Sequence, residues 1–192
     1  MDIGDCTVGM GITGSFCSFG KATETARTLT AKCKKVVPVY SYNAQMLNTR
    51  FGNAGEFMGE IKEITGEDGI KTLQQAERVG PEKMFDVMLI YPCTGNTAAK
   101  LANGINDDAS TMAVKSHLRN GNPVVVAIST NDAMSGSAEN IGKLLNRRNY
   151  YFVPFRQDNP ITKPASLVFA PDLILSTIEK ALDNEQIQPV LV

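Results

Sequence analysis

The sequence predicts a three-layer α/β domain: a mainly parallel sheet with helices on both faces. Three observations carry that reading: short apolar runs without polar alternation, longer helix-like segments between them, and turn chemistry at the junctions. A strand that is apolar at every position is buried on both sides, as in a sheet packed between two helical layers. Asp86–Tyr91 (DVMLIY) and Pro123–Ser129 (PVVVAIS) are the clearest runs, and Thr7–Gly11, Lys35–Ser41 and Tyr150–Pro154 repeat the pattern. Helices are expected over Phe19–Lys32, Ala54–Ile64, Lys71–Val79, Gly95–Asn103, Asp108–Asn120, Ala138–Asn149 and Pro171–Asn184. Asn120-Gly121 is a helix stop and Pro171-Asp172 a helix start. Tyr42–Asn53 and Phe155–Ala170 read as long loops, which in a compact domain are more often functional than not.

Residues 1–192 read as one domain, with no repeat, low-complexity tract or linker. Apolar residues make up 43% and charged residues 20%, the balance of a globular chain. A formal charge of −1 gives no electrostatic reason to expect a nucleic-acid partner. No apolar run approaches the roughly 20 residues that cross a bilayer, and the N-terminus, with Asp2 and Asp5, lacks a secretory pattern. Cys6, Cys17, Cys33 and Cys93 form no CxxC pair, and there is one histidine. The expectation is a cytoplasmic protein with reduced thiols and no metal site.

Three polar clusters sit where strands end, the place at which open α/β sheets bind ligands. In the first, Gly9-Met10-Gly11-Ile12-Thr13-Gly14-Ser15, glycines allow close backbone approach, and Thr13 and Ser15 add hydroxyls beside a helix N-terminus. Gly9, Gly11 and Gly14 satisfy GxGxxG, but Ser41, not an acidic residue, follows the next strand, and no GxxxxGK[ST] loop is present. A glycine turn of this kind is as readily structural as phosphate-binding. In the second cluster, Tyr91-Pro92-Cys93-Thr94-Gly95-Asn96-Thr97, Pro92 is expected to end the ladder and Thr94 to cap the next helix. Gly95 leaves room above that helix, and Asn96 offers a donor and an acceptor suited to a heterocycle edge or a ribityl hydroxyl. The third cluster, Ser129–Met134, reads by itself as an Asx-type turn.

Tyr91–Thr97, continuing through Ala98-Ala99-Lys100-Leu101-Ala102-Asn103-Gly104-Ile105-Asn106-Asp107-Asp108, resembles the PASANT segment of the flavoprotein family of flavin-dependent cysteine decarboxylases. Asn131 and Met134 resemble the asparagine and methionine of that family's PAMNxxM motif, from which Ile128, Ser129 and Thr130 depart; Gly11–Ser15 resembles its first phosphate loop. The resemblance implies a Rossmann-like, flavodoxin-like fold and an FMN site built from Gly11, Thr13, Gly14, Ser15, Ser41, Thr94, Gly95, Asn96, Thr97 and Asn131. Asn48-Thr49-Arg50-Phe51-Gly52 and Val153–Asp158 look like segments of one branch of the family, whose members belong to a two-component oxidoreductase. That likeness implies an A-subunit partner carrying the NAD(P) chemistry, self-association, and a role in the mother cell of a sporulating bacterium. The implied reaction converts a cyclic dicarboxylate of the lysine pathway into an aromatic one.

The family's decarboxylases use a histidine upstream of the PASANT segment, whereas the single histidine here, His117, lies in Asp108–Asn120 and reads as a surface or packing residue. Cysteine-peptide decarboxylation is therefore disfavoured, and Cys93 reads as a packing residue. A planar dicarboxylate favours arginine or lysine; Arg50, Arg156 and Lys163, in the two long segments, are the candidates. Arg147 and Arg148 read as a solvated helix end. Asp107, Asp108, Asp132 and Asp158 are available as bases, with nothing in the sequence to pair them. Three alternatives stay open: a flavin- or substrate-binding enzyme component, a non-catalytic scaffolding component, and another FMN-dependent decarboxylase or flavin prenyltransferase.

Overall fold

A computed structural model describes residues 1–14, 19–48 and 52–192, apart from the side chain of residue 19. Its elements are β1 (Thr7–Ile12), α1 (Phe19–Lys32), β2 (Lys35–Tyr40), α2 (Tyr42–Met46), α3 (Ala54–Thr65), α4 (Leu73–Glu77), β3 (Val87–Cys93) and α5 (Gly95–Asn103). These are followed by α6 (Ala109–Leu118), β4 (Val124–Thr130), α7 (Ala138–Leu145), β5 (Tyr150–Phe152), β6 (Phe155–Asn159), β7 (Lys163–Phe169) and α8 (Ile174–Leu182). The sheet runs β2-β1-β3-β4-β7-β6, with β5 also paired to β4. Pairings among β1, β2, β3, β4 and β5 are parallel, and β7 joins β4 and β6 antiparallel.

Two-sided burial explains the unalternated strands. Val8, Met10 and Ile12 of β1, with Val87, Leu89 and Tyr91 of β3, face a core completed by Ala22, Ala26 and Leu29 of α1, Phe57 and Ile61 of α3, and Ile174 and Ile178 of α8. Met88 and Ile90 of β3, with Val124, Val126 and Ile128 of β4, face a second core closed by α4, α5, α6 and α7. Gly9 and Gly11 lie inside β1 and belong to this packing. A Cβ on Gly9 would run into the Phe85 ring, and one on Gly11 would stand 2.7 Å from Ile90 Cδ1. Two of the three GxGxxG positions are thus glycine because neighbouring apolar side chains fill the space.

Helix boundaries follow the capping chemistry. Thr94 accepts from Thr97 N at the start of α5, and Gly104, with φ of 70°, ends it. Gly121, with φ of 74°, stops the turn after α6. The capping box of Thr72 and Gln75 starts α4 at Leu73, later than its apolar pattern begins. Pro171–Leu173 is a short 3-10 turn leading into α8.

Two expectations are corrected. Phe155–Ala170 is not a loop: β6 and β7 form a hairpin whose turn is tied by Asn159 Oδ1, which accepts from Ile161 N (3.0 Å) and Thr162 N (2.8 Å). Only Phe155 of β6 is buried, so this strand carries no continuous apolar run. Pro92 does not end the ladder. Pairing with β4 slips after Ile90 and resumes at Cys93, opposite Ile128. The segment Tyr42–Asn53 opens with α2, capped by Ser41, whose Oγ accepts from Ala44 N at 3.3 Å.

Replacing Gly9 with alanine is expected to lower stability by roughly 1–3 kcal/mol through overpacking against Phe85. Urea denaturation checks this; a variant as stable as the parent would show that the Phe85 ring yields freely.

Candidate functional site

The chain leaves β1 for β2 on one side and returns to β3 on the other, so the carboxyl ends of β1 and β3 diverge around a crevice. Hydrogen bonds tie the strand ends together there. The Thr13 hydroxyl donates to the Pro92 carbonyl at 2.6 Å, and Ser41 N donates to Ile12 O at 2.9 Å. Thr94 and Thr97 hydroxyls lie 3.0 Å apart at the start of α5. A cleft of about 350 Å³ opens between these ends, lined by Gly14, Ser41, Tyr42, Asn43, Thr94, Asn96, Thr97, Lys100, Asp107 and Asp108.

The cleft brings together Gly14, Ser41, Thr94, Asn96 and Thr97 of the expected cofactor residues. Asn96 is exposed, and among the described residues its carboxamide has no hydrogen-bond partner. Gly11 and Thr13 stand behind the wall: Gly11 is buried in β1, and the buried Thr13 hydroxyl already donates to Pro92. Gly95 does not leave room for a ligand, because Thr130, Asp132 and Ser137 occupy the space a side chain would need. Asn131 is exposed and lies outside the cleft lining. Ser15 and Arg50 fall outside the described residues.

Sequence reasoning missed Lys100, Asp107 and Asp108 as cleft walls. The Lys100 ammonium sits 2.7 Å from Asp107 Oδ1 and 3.2 Å from Asp108 Oδ2. Burial works against the charge of Lys100, but the two carboxylates outweigh it and hold the pKa above the ordinary value. Burial likewise opposes ionisation of Asp108, yet hydrogen bonds from Ser110 and Thr111 and the nearby Lys100 bring its pKa below the usual range. The signal was available: Asp108 is the N-cap of α6, and such a cap fixes where a nearby cation can settle.

The other candidates have structural partners or lie away from the cleft. Lys163 pairs with Asp158 across the hairpin at 2.7 Å, and Arg156 is exposed on β6. Arg147 is exposed just past the end of α7, as expected, but the helix end it serves is that of α5: its guanidinium donates to Leu101 O (3.0 Å) and Ala102 O (2.7 Å). Cys93 is fully buried, which pushes its thiol up to about 12 and leaves it a packing residue. His117 is buried against Phe85, with Nε2 3.0 Å from the Pro123 carbonyl. A larger cavity, about 490 Å³, lies between α1 and α8 beside Tyr91, but it gathers none of the polar strand-end residues. Among the described residues no cluster of histidine, cysteine, aspartate or glutamate could hold a metal, and no helix is long and apolar enough to cross a membrane.

A mostly parallel sheet between helices, with a polar cleft at its carboxyl edge, defines a flavodoxin-like class of α/β protein. The chain belongs to the flavoprotein family, whose model matches residues 2–181. It is 42% identical over 185 residues to the B subunit of dipicolinate synthase from Bacillus subtilis (strain 168), a match spanning 96% of this chain and 92% of that protein. The crystal structure of the dipicolinate synthase B subunit from Bacillus halodurans C superposes with a TM-score of 0.91 at 42% identity, covering 100% of this chain and 98% of that one. The FMN-dependent cysteine decarboxylase SpaF shares the fold, with a TM-score of 0.71 at 23% identity over 94% of this chain and 97% of its own.

Burial depresses the His117 pKa to about 4 from an ordinary value of 6.5, outweighing the Pro123 carbonyl and Asp86, which favour the charged form. The unfolded chain therefore binds a proton between these values that the folded chain refuses. The stability His117 contributes is complete above pH 6.5 and falls as pH drops toward 4, by roughly 2–3 kcal/mol at pH 4.5. Denaturant titrations at pH 7.5 and 4.5, with an NMR titration of this single imidazole, check it. A ring titrating near 6.5 in the folded protein contradicts it.

Proposed function

We propose that this chain is the B subunit of a dipicolinate synthase and that its strand-end cleft holds an FMN-type ligand. The observation that carries the proposal is the convergence of Gly14, Ser41, Thr94, Asn96 and Thr97 on one cleft from three strand ends. Their groups are neutral hydrogen-bonding ones. The Gly14 backbone and Ser41 suit a phosphate, and Thr94, Thr97 and Asn96 suit ribityl hydroxyls or a ring edge. Ser15 belongs to the same set by sequence position. A bound flavin would supply two-electron redox chemistry. Lys100 is neutralised by Asp107 and Asp108, so the phosphate is assigned to the Gly14–Ser41 end.

The partner is a dipicolinate synthase A subunit that carries the NAD(P) chemistry, and the substrate a cyclic dicarboxylate, with Arg156 and Arg50 as its candidate anchors. The setting is the cytoplasm of the mother cell in a sporulating bacterium. Tyr42, which lines the cleft, and Met46 and Leu47, which follow it along the same segment, are exposed apolar side chains, and this supports self-association there. A scaffolding version, in which this chain orders the A subunit without doing chemistry, is favoured by the state of its acids and bases. Asp108, Asp132 and Asp158 are all hydrogen-bonded or paired, and His117 is buried.

Titrating the purified chain with FMN and with riboflavin tests the cleft. Gly14→Asp is expected to weaken FMN binding roughly tenfold by setting a carboxylate beside the phosphate, with little change for riboflavin. Asn96→Ala is expected to weaken both ligands. Failure of the parent chain to bind either flavin refutes the flavin reading. Full synthase activity of both variants with the A subunit would favour the scaffolding version.

A further inference from the structure

The loop between β4 and α7 seats a carboxylate against the first turn of α5, and only a glycine at position 95 admits it. A Cβ on Gly95 would lie 2.8 Å from Asp132 Oδ1, 2.8 Å from Thr130 Oγ1 and 2.5 Å from Ser137 Oγ. These three side chains form one network: Thr130 Oγ1 and Ser137 Oγ both donate to Asp132 Oδ1, at 2.5 and 2.9 Å. The main chain closes the same turn, with Ser135 N and Ser137 N donating to Asp132 O at 3.0 and 3.1 Å. Met134 N donates to Ala165 O at 3.0 Å, tying the loop to β7. Hydrogen bonds from Thr130 and then Ser137 hold the Asp132 carboxyl below the usual carboxylate range, so it is charged at neutral pH. A negative charge beside a helix N-terminus complements the partial positive charge there.

The other end of α5 is held by the same stretch of chain. Arg147 caps Leu101 and Ala102, and Asn103 donates to Asn140 Oδ1 at 3.1 Å. The helix that presents Asn96, Thr97 and Lys100 to the cleft is thus clamped at both ends by elements between Thr130 and Arg147.

We propose that Asp132 is the positioning residue of the cleft, fixing the first turn of α5 so that Asn96 and Thr97 face the ligand in a set orientation. Asp132 does not line the cleft; it acts through Gly95. The proposal rests on the reading of this cleft as the flavin-type site, and its test separates the two. Amide hydrogen exchange is measured on the ligand-free chain and FMN affinity by titration, for the parent, Asp132→Ala and Asp132→Asn. In Asp132→Ala, the amides of residues 95–98 are expected to exchange roughly tenfold faster while β3 and β4 stay protected, and FMN affinity is expected to fall by a similar factor. Asp132→Asn keeps an Oδ1 acceptor for both hydroxyls, so it should restore both readouts to within about twofold of the parent. Ser137→Ala removes one donor and gives an intermediate effect should Asp132→Ala fail to fold. Unchanged exchange in Asp132→Ala overturns the proposal, as does faster exchange with undiminished FMN affinity. A parent chain that binds no FMN sinks the flavin reading alone, and the exchange comparison then still decides whether Asp132 holds α5.

Discussion

Pro92 has no N–H to donate, and the carboxyl end of β3 is organised around that absence. The ladder to β4 pairs Ile90 with Val126, skips, and resumes with Cys93 opposite Ile128. The slip turns Cys93 toward the core it shares with Ile90, although strict alternation would put it on the opposite face. It also leaves the Pro92 carbonyl as the acceptor for the Thr13 hydroxyl, joining the ends of β1 and β3. Thr94 follows at once and starts α5. Strand order opens the crevice, and the slip at Pro92 sets its floor: the tie between β1 and β3 and the inward turn of the buried thiol.

The cleft is electrically uneven. Its Gly14–Ser41 end offers hydrogen-bonding groups without formal charge, and its far end holds Lys100 between Asp107 and Asp108. Helix α5 is compensated along its length, with Asp132 beside its N-terminus and Arg147 on its last carbonyls. An anion has little reason to settle against α5, because the positive end of that helix already has an internal counter-charge.

What could be read from the sequence follows from how local each determinant is. Gly95–Asn103 was legible at both ends because Thr94 and Gly104 are adjacent caps. The central strands were legible because burial on both faces leaves no polar position to confuse the pattern. The β6–β7 hairpin was not, since its outer strand is polar at all but one position. In the site, Ser41, Thr94, Asn96 and Thr97 were legible from their places after strands. The roles of Thr13 and Gly95 were misread, because whether a hydroxyl is already bonded, or a space already filled, depends on residues 79 and about 40 positions away. Lys100 was missed for a different reason: its partners are near in sequence, but they lie past the end of α5 at the start of another helix, so helical spacing does not pair them.

The hairpin closes one margin of the sheet, with Arg156, Asp158 and Asn159 exposed along its outer strand and Leu191 bridging only Phe155. At the opposite margin Ile70 bridges to Val39. The charged outer strand β6 at one margin, and the short bridge over the largely apolar β2 at the other, disfavour edge-to-edge pairing with another chain's sheet, the route by which open β structure polymerises. A second chain adding a strand at the hairpin margin would have to bring its backbone against Arg156 and Asp158, so the exposed edge of β6 is a poor template for sheet growth.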